Sequence, residues 1–288
     1  MAITLPAFPQ TNDLSTILKP GAKVEKLSGE FSFTEGPAPD AAGNVYFTDQ
    51  PNDRIMVWKV SQELSTFMQP SGRSNGMFFD NKGYLWSCAD EKNALWRISP
   101  EKTVEVILKD FEGRLFNGPN DVWVSPDGSV FITDPFYKRS WWDHSAMPQE
   151  KQCVYYLSPD HKTLLRVVDD LVQPNGIVGT PDGKTLYVSD IGGKKTWSYS
   201  IGINGSLEGK KLFCEMGSDG MTIDSKGNLY LTGKGVTIFD KTGKQLGNIA
   251  VPESWTANVC FGGKNRKMLF ITASKGLYRI TTRVRGAY

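Results

Sequence analysis

One phrase recurs along this chain and limits what it can become. A Gly-containing turn leads into an aromatic-rich segment that ends in Thr or Ser. It reads DAAGNVYFTD at 40–49, DNKGYLWSCAD at 80–90, SPDGSVFITD at 125–134, TPDGKTLYVSD at 180–190 and DSKGNLYLTG at 224–233, with a looser copy, GGKNRKMLFITAS, at 262–274. The turn glycines stand at 43, 83, 128, 183 and 227, a step of 40 to 55 residues. After each copy comes a second alternating segment (RIMVWKV, ALWRIS, VYYLS, KTWSYSI, GVTIFD, GLYRIT), and in copies one to five a further one such as STFMQ or TVEVIL. Period-two alternation broken by Gly, Asp and Asn turns is the pattern of strands joined by hairpins. Four strands at this period make a propeller blade. The expected fold is all-β, a six-bladed β-propeller of four-stranded antiparallel blades.

The ends of the sequence suggest how the ring closes. The sixth copy stops after its third strand, near Arg283, while AKVEKLS at 22–28 precedes copy one without a blade of its own. Pairing that N-terminal strand with blade six would complete the blade and remove the open edge at the seam. Residues 1–288 are read as a single propeller domain with residues 1–21 as an N-terminal extension. Two separate β-sandwiches would require a mid-chain linker, and the sequence has none.

Charge and composition exclude several classes of function. With 33 Lys plus Arg against 31 Asp plus Glu, the net charge is +2. That is not the basic excess of a nucleic-acid or anionic-membrane binder. No apolar run is long enough to span a bilayer, and MAITLPAFPQTND lacks the basic and apolar regions of a secretory leader. A soluble protein is expected, in the cytoplasm or, if a leader has been removed, the periplasm. Cys88, Cys153, Cys214 and Cys260 form no CxxC pair and read as buried thiols.

The residue eight positions before each repeat glycine points to chemistry. In copies one to five it is Glu35, Asn75, Asn120, Asn175 and Asp219; in copy six, where Arg266 replaces the glycine, it is Asn258. All six are carboxylates or carboxamides. The position opens the innermost strand of each blade, so in a propeller the six converge at one mouth of the central channel. Two carboxylates sharing a narrow, partly dry space either share a proton or hold a cation. Glu35 and Asp219 balance a divalent ion, and the amide oxygens of Asn120 and Asn175 complete an all-oxygen set suited to Ca²⁺. Ca²⁺ is the first expectation, with Mg²⁺, Mn²⁺ or Zn²⁺ as alternatives. The competing reading makes Asn75-Gly76, Asn175-Gly176 and Asp219-Gly220 ordinary type I′ turns, although each blade already has its turn eight residues later.

With these residues in view, the chain resembles the SMP-30/gluconolactonase/luciferin-regenerating-enzyme family, nearest its bacterial gluconolactonase branch. The matching phrases are FTEGPAPDAAGNVYFTD, RSNGMFFDNKGYLWSCAD, NGPNDVWVSPDGSVFITDPFY, PNGIVGTPDGKTLYVSD, SDGMTIDSKGNLYLTG and TANVCFGG, six in order from about residue 24. The resemblance implies a divalent-metal-dependent hydrolase of sugar lactones, its metal held by Glu35, Asn175 and Asp219. Asp219 would also be the catalytic base. Asn120 matches a position that binds metal in some relatives and substrate in others. One departure is Gly118, where animal members carry an arginine that contacts sugar; another is Ser218 where the family has proline.

Asn75 and Asn258 are expected to hold substrate hydroxyls, and Gly217 and Gly220 to leave room beside Asp219. The aromatic insertion at 134–151 could roof the site, with Tyr137 and Trp141 against the sugar, or form a subunit contact in a homodimer; a monomer is equally compatible. His144 in that insertion is a weaker acid–base candidate. Alternatives are a phosphotriesterase-like propeller hydrolase and a non-catalytic propeller that binds carbohydrate or protein.

Overall fold

The second strand of each repeat is its most apolar stretch and is buried along nearly its whole length. Val45–Asp49, Leu85–Ala89, Val130–Asp134, Thr185–Asp190, Leu229–Gly233 and Met268–Ala273 run through the middle of six four-stranded antiparallel sheets. The computed structural model describes residues 13–288. Within the first five sheets the strand order follows the chain, so each blade is a meander from the channel outwards. The expected six-bladed propeller is the observed fold. Among the described residues the helical segments are three 3₁₀ turns, Gln50–Asn52, Asp90–Lys92 and Ile203–Gly205. None of the described helices is long and apolar enough to cross a membrane.

Blade six closes as its sequence requires. Glu25–Ser28 pairs antiparallel with Gly276–Thr281, with Glu25 opposite Arg279 and Lys26 opposite Tyr278. The Thr34 hydroxyl donates to the carbonyl of Gly276 across the seam at 2.8 Å. The pairing starts at Glu25 rather than residue 22. The N-terminal extension is described only from residue 13, and there Ile17 is buried among blade-five and blade-six side chains while Leu18 bridges Thr282. Aromatic and β-branched side chains fill the spaces between blades; Trp86, Trp123, Tyr155, Tyr230 and Tyr278 are fully buried. All four cysteines are buried free thiols.

At the end of the channel opposite the column residues, Tyr288 packs between the blades. The Tyr288 hydroxyl accepts from Trp123 Nε1 at 2.9 Å and donates to the Gly179 carbonyl, and its ring meets Phe78 edge-on. Beneath the column lies a small cavity of about 50 Å³, bounded in part by Asp121, Asn258 and Tyr288.

Candidate active site

The six column residues stand where the innermost strands are irregular. Register shifts fall between Glu35 and Ala38, Ser74 and Met77, Pro174 and Ile177, and Thr256 and Asn258. In blades three and five the innermost strands begin only at Val122 and Met221, just after Asn120 and Asp219. A bulge re-aims a side chain that regular pleating would bury between sheets. The glycine that follows a column residue serves close approach between blades. A Cβ on Gly36 would lie 2.0 Å from the Asn75 carbonyl, and one on Gly76 would lie 2.5 Å from that of Asn120. These glycines are strand contacts and not the tips of type I′ turns.

Four of the six column residues border an open cavity of about 350 Å³. Glu35, Asn75, Asn120 and Asp219 line it, with Tyr137 and Arg139 from the insertion. Glu35 is buried, and its carboxylate accepts from the Gly36 N–H at 2.6 Å and from Asn258 Nδ2 at 3.1 Å. Burial first, and the neighbouring Asp219 charge second, push its pKa well above the usual carboxylate range. Asp219 accepts from Trp255 Nε1 at 2.7 Å and from Asn175 Nδ2 at 2.9 Å. Burial raises it to about 6, the two hydrogen bonds and Arg139 holding it down from going further.

Asp219 is held rigidly by its neighbours in sequence. The Ser218 hydroxyl accepts from the Thr232 N–H at 2.7 Å and donates to the Gly220 carbonyl. The proline-to-serine departure therefore replaces a rigid ring by a buried hydrogen-bond anchor. The room expected from the adjacent glycines is taken up: a Cβ on Gly217 would meet the Ile191 backbone, and one on Gly220 the Asn258 carboxamide. Packing between chain segments, not space for substrate, requires these two glycines.

Donor oxygens remain unused at this site. Asn75 Oδ1 and Asn175 Oδ1 are buried without a hydrogen bond, an arrangement that costs free energy unless another ligand completes it. Among the described residues no three His, Cys, Asp or Glu side chains are grouped so as to hold a metal ion by themselves. The donor set is two carboxylates with carboxamide oxygens around them, and that chemistry suits a hard divalent cation better than a soft one.

Not every expected substrate contact faces the cavity. Asn75 and Tyr137 do, and the Tyr137 hydroxyl accepts from Asn175 Nδ2 at 2.8 Å. Asn258 lies below, buried against Glu35 and bounding the small cavity. Trp141 stands off the cavity wall because its indole N–H donates to Asp90 at 3.0 Å and its ring face takes the Arg73 guanidinium at 4.8 Å. The His144 ring stacks on Trp142 at 4.9 Å, away from the cavity.

Several groups that the repeat reading missed line the cavity, Arg139 and Trp255 among them, and Asp121 lies beneath it. Arg139 and Trp255 sit on connections whose paths the period does not determine. Asp121, one residue past the column, could have been found by extending the comparison one position. It is buried in the channel, accepts from the Val122 and Ile177 N–H groups, and is raised to about 8 by burial.

Comparison with known proteins places the chain in a family. The family model described as the SMP-30/gluconolactonase/LRE-like region matches residues 33–275. The chain belongs to that family. Within it, the gluconolactonase of Zymomonas mobilis is 31% identical, covering 95% of this chain and 85% of the relative. The solved gluconolactonase of Xanthomonas campestris superposes with a TM-score of 0.86 at 26% identity, over 96% of this chain and 98% of the other. A calcium-binding regucalcin of Agrobacterium tumefaciens, at 18% identity and a TM-score of 0.75 over 91% and 94% of the two chains, shares the fold. The nearer of these relatives are lactone-hydrolysing enzymes acting on ester bonds.

Proposed function

We propose that this SMP-30/gluconolactonase-family chain is a gluconolactonase-like hydrolase that opens a small sugar lactone at the column site, with one divalent cation, Ca²⁺ first, as cofactor. The observation that carries the reading is the pairing of Glu35 and Asp219 in one cavity beside unsatisfied carboxamide oxygens. Glu35, Asn120, Asn175 and Asp219 would hold the ion. A bound divalent ion there supplies polarisation of the lactone carbonyl and positive charge to offset the charge developing on its oxygen.

The protein's own groups account for the proton transfers. Asp219 is the base: it takes a proton from the attacking water as the new C–O bond forms at the carbonyl carbon. The bond from that carbon to the ring oxygen then breaks, and the proton returns to the leaving oxygen, giving the open hydroxy acid. A carboxylate that is ionised at neutral pH and can accept and return a proton suits this shuttle. Trp255 and Asn175 fix the carboxylate by one bond to each oxygen. Asn75 and Tyr137, which line the same cavity, would meet substrate hydroxyls.

The direct test is turnover of glucono-δ-lactone, followed by acid release, with chelator and after return of each divalent ion, alongside an organophosphate ester. Loss of lactone opening with chelator and recovery with Ca²⁺ is expected. Turnover indifferent to chelation would remove the metal from the reading. Hydrolysis of the phosphoester alone would replace the lactone.

A further inference from the structure

The insertion between the second and third strands of blade three is a fixed strap rather than a loose loop. Its far end is tied by Gln149, whose side-chain amide donates to the carbonyls of Arg114 and Leu115, at 3.0 and 2.9 Å, and whose N–H donates to Asn117 Oδ1 at 2.9 Å. Its middle is tied to the neighbouring blade through one buried carboxylate. Asp90 accepts from Trp141 Nε1 at 3.0 Å, its carbonyl accepts from Trp142 Nε1 at 2.7 Å, and Arg139 Nε lies 3.3 Å from its carboxylate.

Asp90 is available for this because it does not do what its counterparts do. In blades one, three and four the Asp at the end of the second strand accepts backbone N–H groups just before its own column residue: Asp49 from Ser32 and Phe33, Asp134 from Asn117 and Gly118, Asp190 from Val172 and Gln173. In blade two that capping falls to Asp53, which accepts from the Ser71 and Arg73 N–H groups. Asp90 is left to hold side chains of the strap.

Gly118 completes the arrangement. A Cβ there would lie 2.7 Å from the Trp142 ring and 3.2 Å from Asp90 Oδ1. The position cannot both carry a side chain and admit Trp142. With Trp142 seated, the strap brings Arg139 to the cavity wall, its guanidinium stacked at 5.2 Å on the Tyr137 ring and 5.5 Å on Trp141.

We infer that Arg139 contacts substrate and selects polyhydroxylated lactones by donating to their hydroxyl oxygens, with Asp90 as its positioning residue and Gly118 as the gap that lets the strap seat. This rests on the hydrolase reading for its substrate class but not for its geometry. Gln50 and Gln173 on the same wall add amide donors and acceptors, a lining that favours several hydroxyls over an alkyl chain.

The test compares wild type, Arg139→Gln, Arg139→Lys and Asp90→Asn, each with its thermal melt. KM and kcat are measured separately on glucono-δ-lactone and on δ-valerolactone, which lacks the hydroxyls. Arg139→Gln should raise KM for the sugar lactone about tenfold, the weight of a hydrogen bond to a charged donor, and should shrink the preference over δ-valerolactone by a similar factor. Arg139→Lys should recover part of this. Asp90→Asn should raise KM several-fold with kcat far less affected. An unchanged preference, or equal losses on both lactones, would overturn the assignment.

Binding of 1,5-anhydroglucitol, a sugar ring with hydroxyls and no carbonyl, separates the two readings. Weaker binding by Arg139→Gln with no lactone opened by wild type would sustain the Arg139 assignment and end the hydrolase reading. Equal binding by wild type and Arg139→Gln, or no binding by wild type, would end this inference.

Discussion

Asp134 and Asp90 hold the same place in adjacent blades, at or just past the end of the second strand, and their hydrogen-bond partners differ. Asp134 accepts two backbone N–H groups, from Asn117 at 2.9 Å and Gly118 at 2.8 Å, and so fixes the turn that carries Asn120 to the channel mouth. Asp90 accepts from an indole and faces a guanidinium, both delivered by the next blade. One carboxylate organises the chain it belongs to; the other recruits a neighbour. The repeat supplies a standard framework, and a blade freed from one framework duty can build something particular to this protein. The column carboxylates differ from both in lining the open cavity together, where the Asp219 charge adds to burial in raising Glu35.

The contrast between column and strand-end carboxylates is broken most sharply at Asp219. Asp219→Ala should lower kcat on the sugar lactone by about 10²- to 10⁴-fold, the range for loss of a general base. Its melting temperature in chelator should not fall, because removal of one of two crowded acids relieves Glu35. Turnover near the wild-type rate would place the base elsewhere.

The converse holds for Asp134. Asp134→Ala leaves two buried N–H groups without acceptors, and denaturant unfolding should show a loss of about 2–4 kcal/mol. Activity should then decline because Asn120 is no longer held. A stability loss under about 1 kcal/mol would mean that water replaces the carboxylate freely and that the framework duty is slight.

Asp90 also leaves a signature in pH. Burial raises it from the ordinary 3.8 to about 6, against the opposing pull of Arg139 and Trp141. Between these values the folded chain keeps a proton that the unfolded chain has released. Stability therefore falls as pH rises through that window. Asp90→Asn removes this contribution, so its unfolding free energy relative to wild type should improve between pH 4 and pH 6 by about 1–3 kcal/mol. A pH-independent difference would show that Asp90 stays ionised throughout, as a full ion pair with Arg139 would require.

How much of this was legible in the sequence follows the same division. The blades were readable because each strand carries its own alternation and each turn its glycine, and the N-terminal strand had nowhere to go but the seam. Glu35, Asn75, Asn120, Asn175 and Asp219 were readable because the fold repeats their backbone position. Arg139 and Trp255 were not, because each depends on where an irregular connection crosses a neighbouring blade. Trp141 was expected at the sugar on the strength of its ring, but its N–H decided its position by reaching Asp90. The roles of Gly217 and Gly220 were misread for a related reason: an absent side chain signals closeness without saying what comes close.

The smallest expected effect tests whether Asp219 is tuned from outside the repeat. Trp255 is exposed, and its indole N–H gives Asp219 a 2.7 Å hydrogen bond that favours the ionised carboxylate. Trp255→Phe keeps an aromatic wall and removes the donor. The Asp219 pKa should then rise, so the acidic limb of the pH dependence of kcat/KM should move to higher pH by less than about one unit. At pH 8, where the carboxylate is ionised in both proteins, the rates should agree within a few-fold. An acidic limb that stays fixed would show that a different group limits the reaction at low pH. The division between tuned column carboxylates and fixed framework carboxylates would then fail at the residue where it matters most.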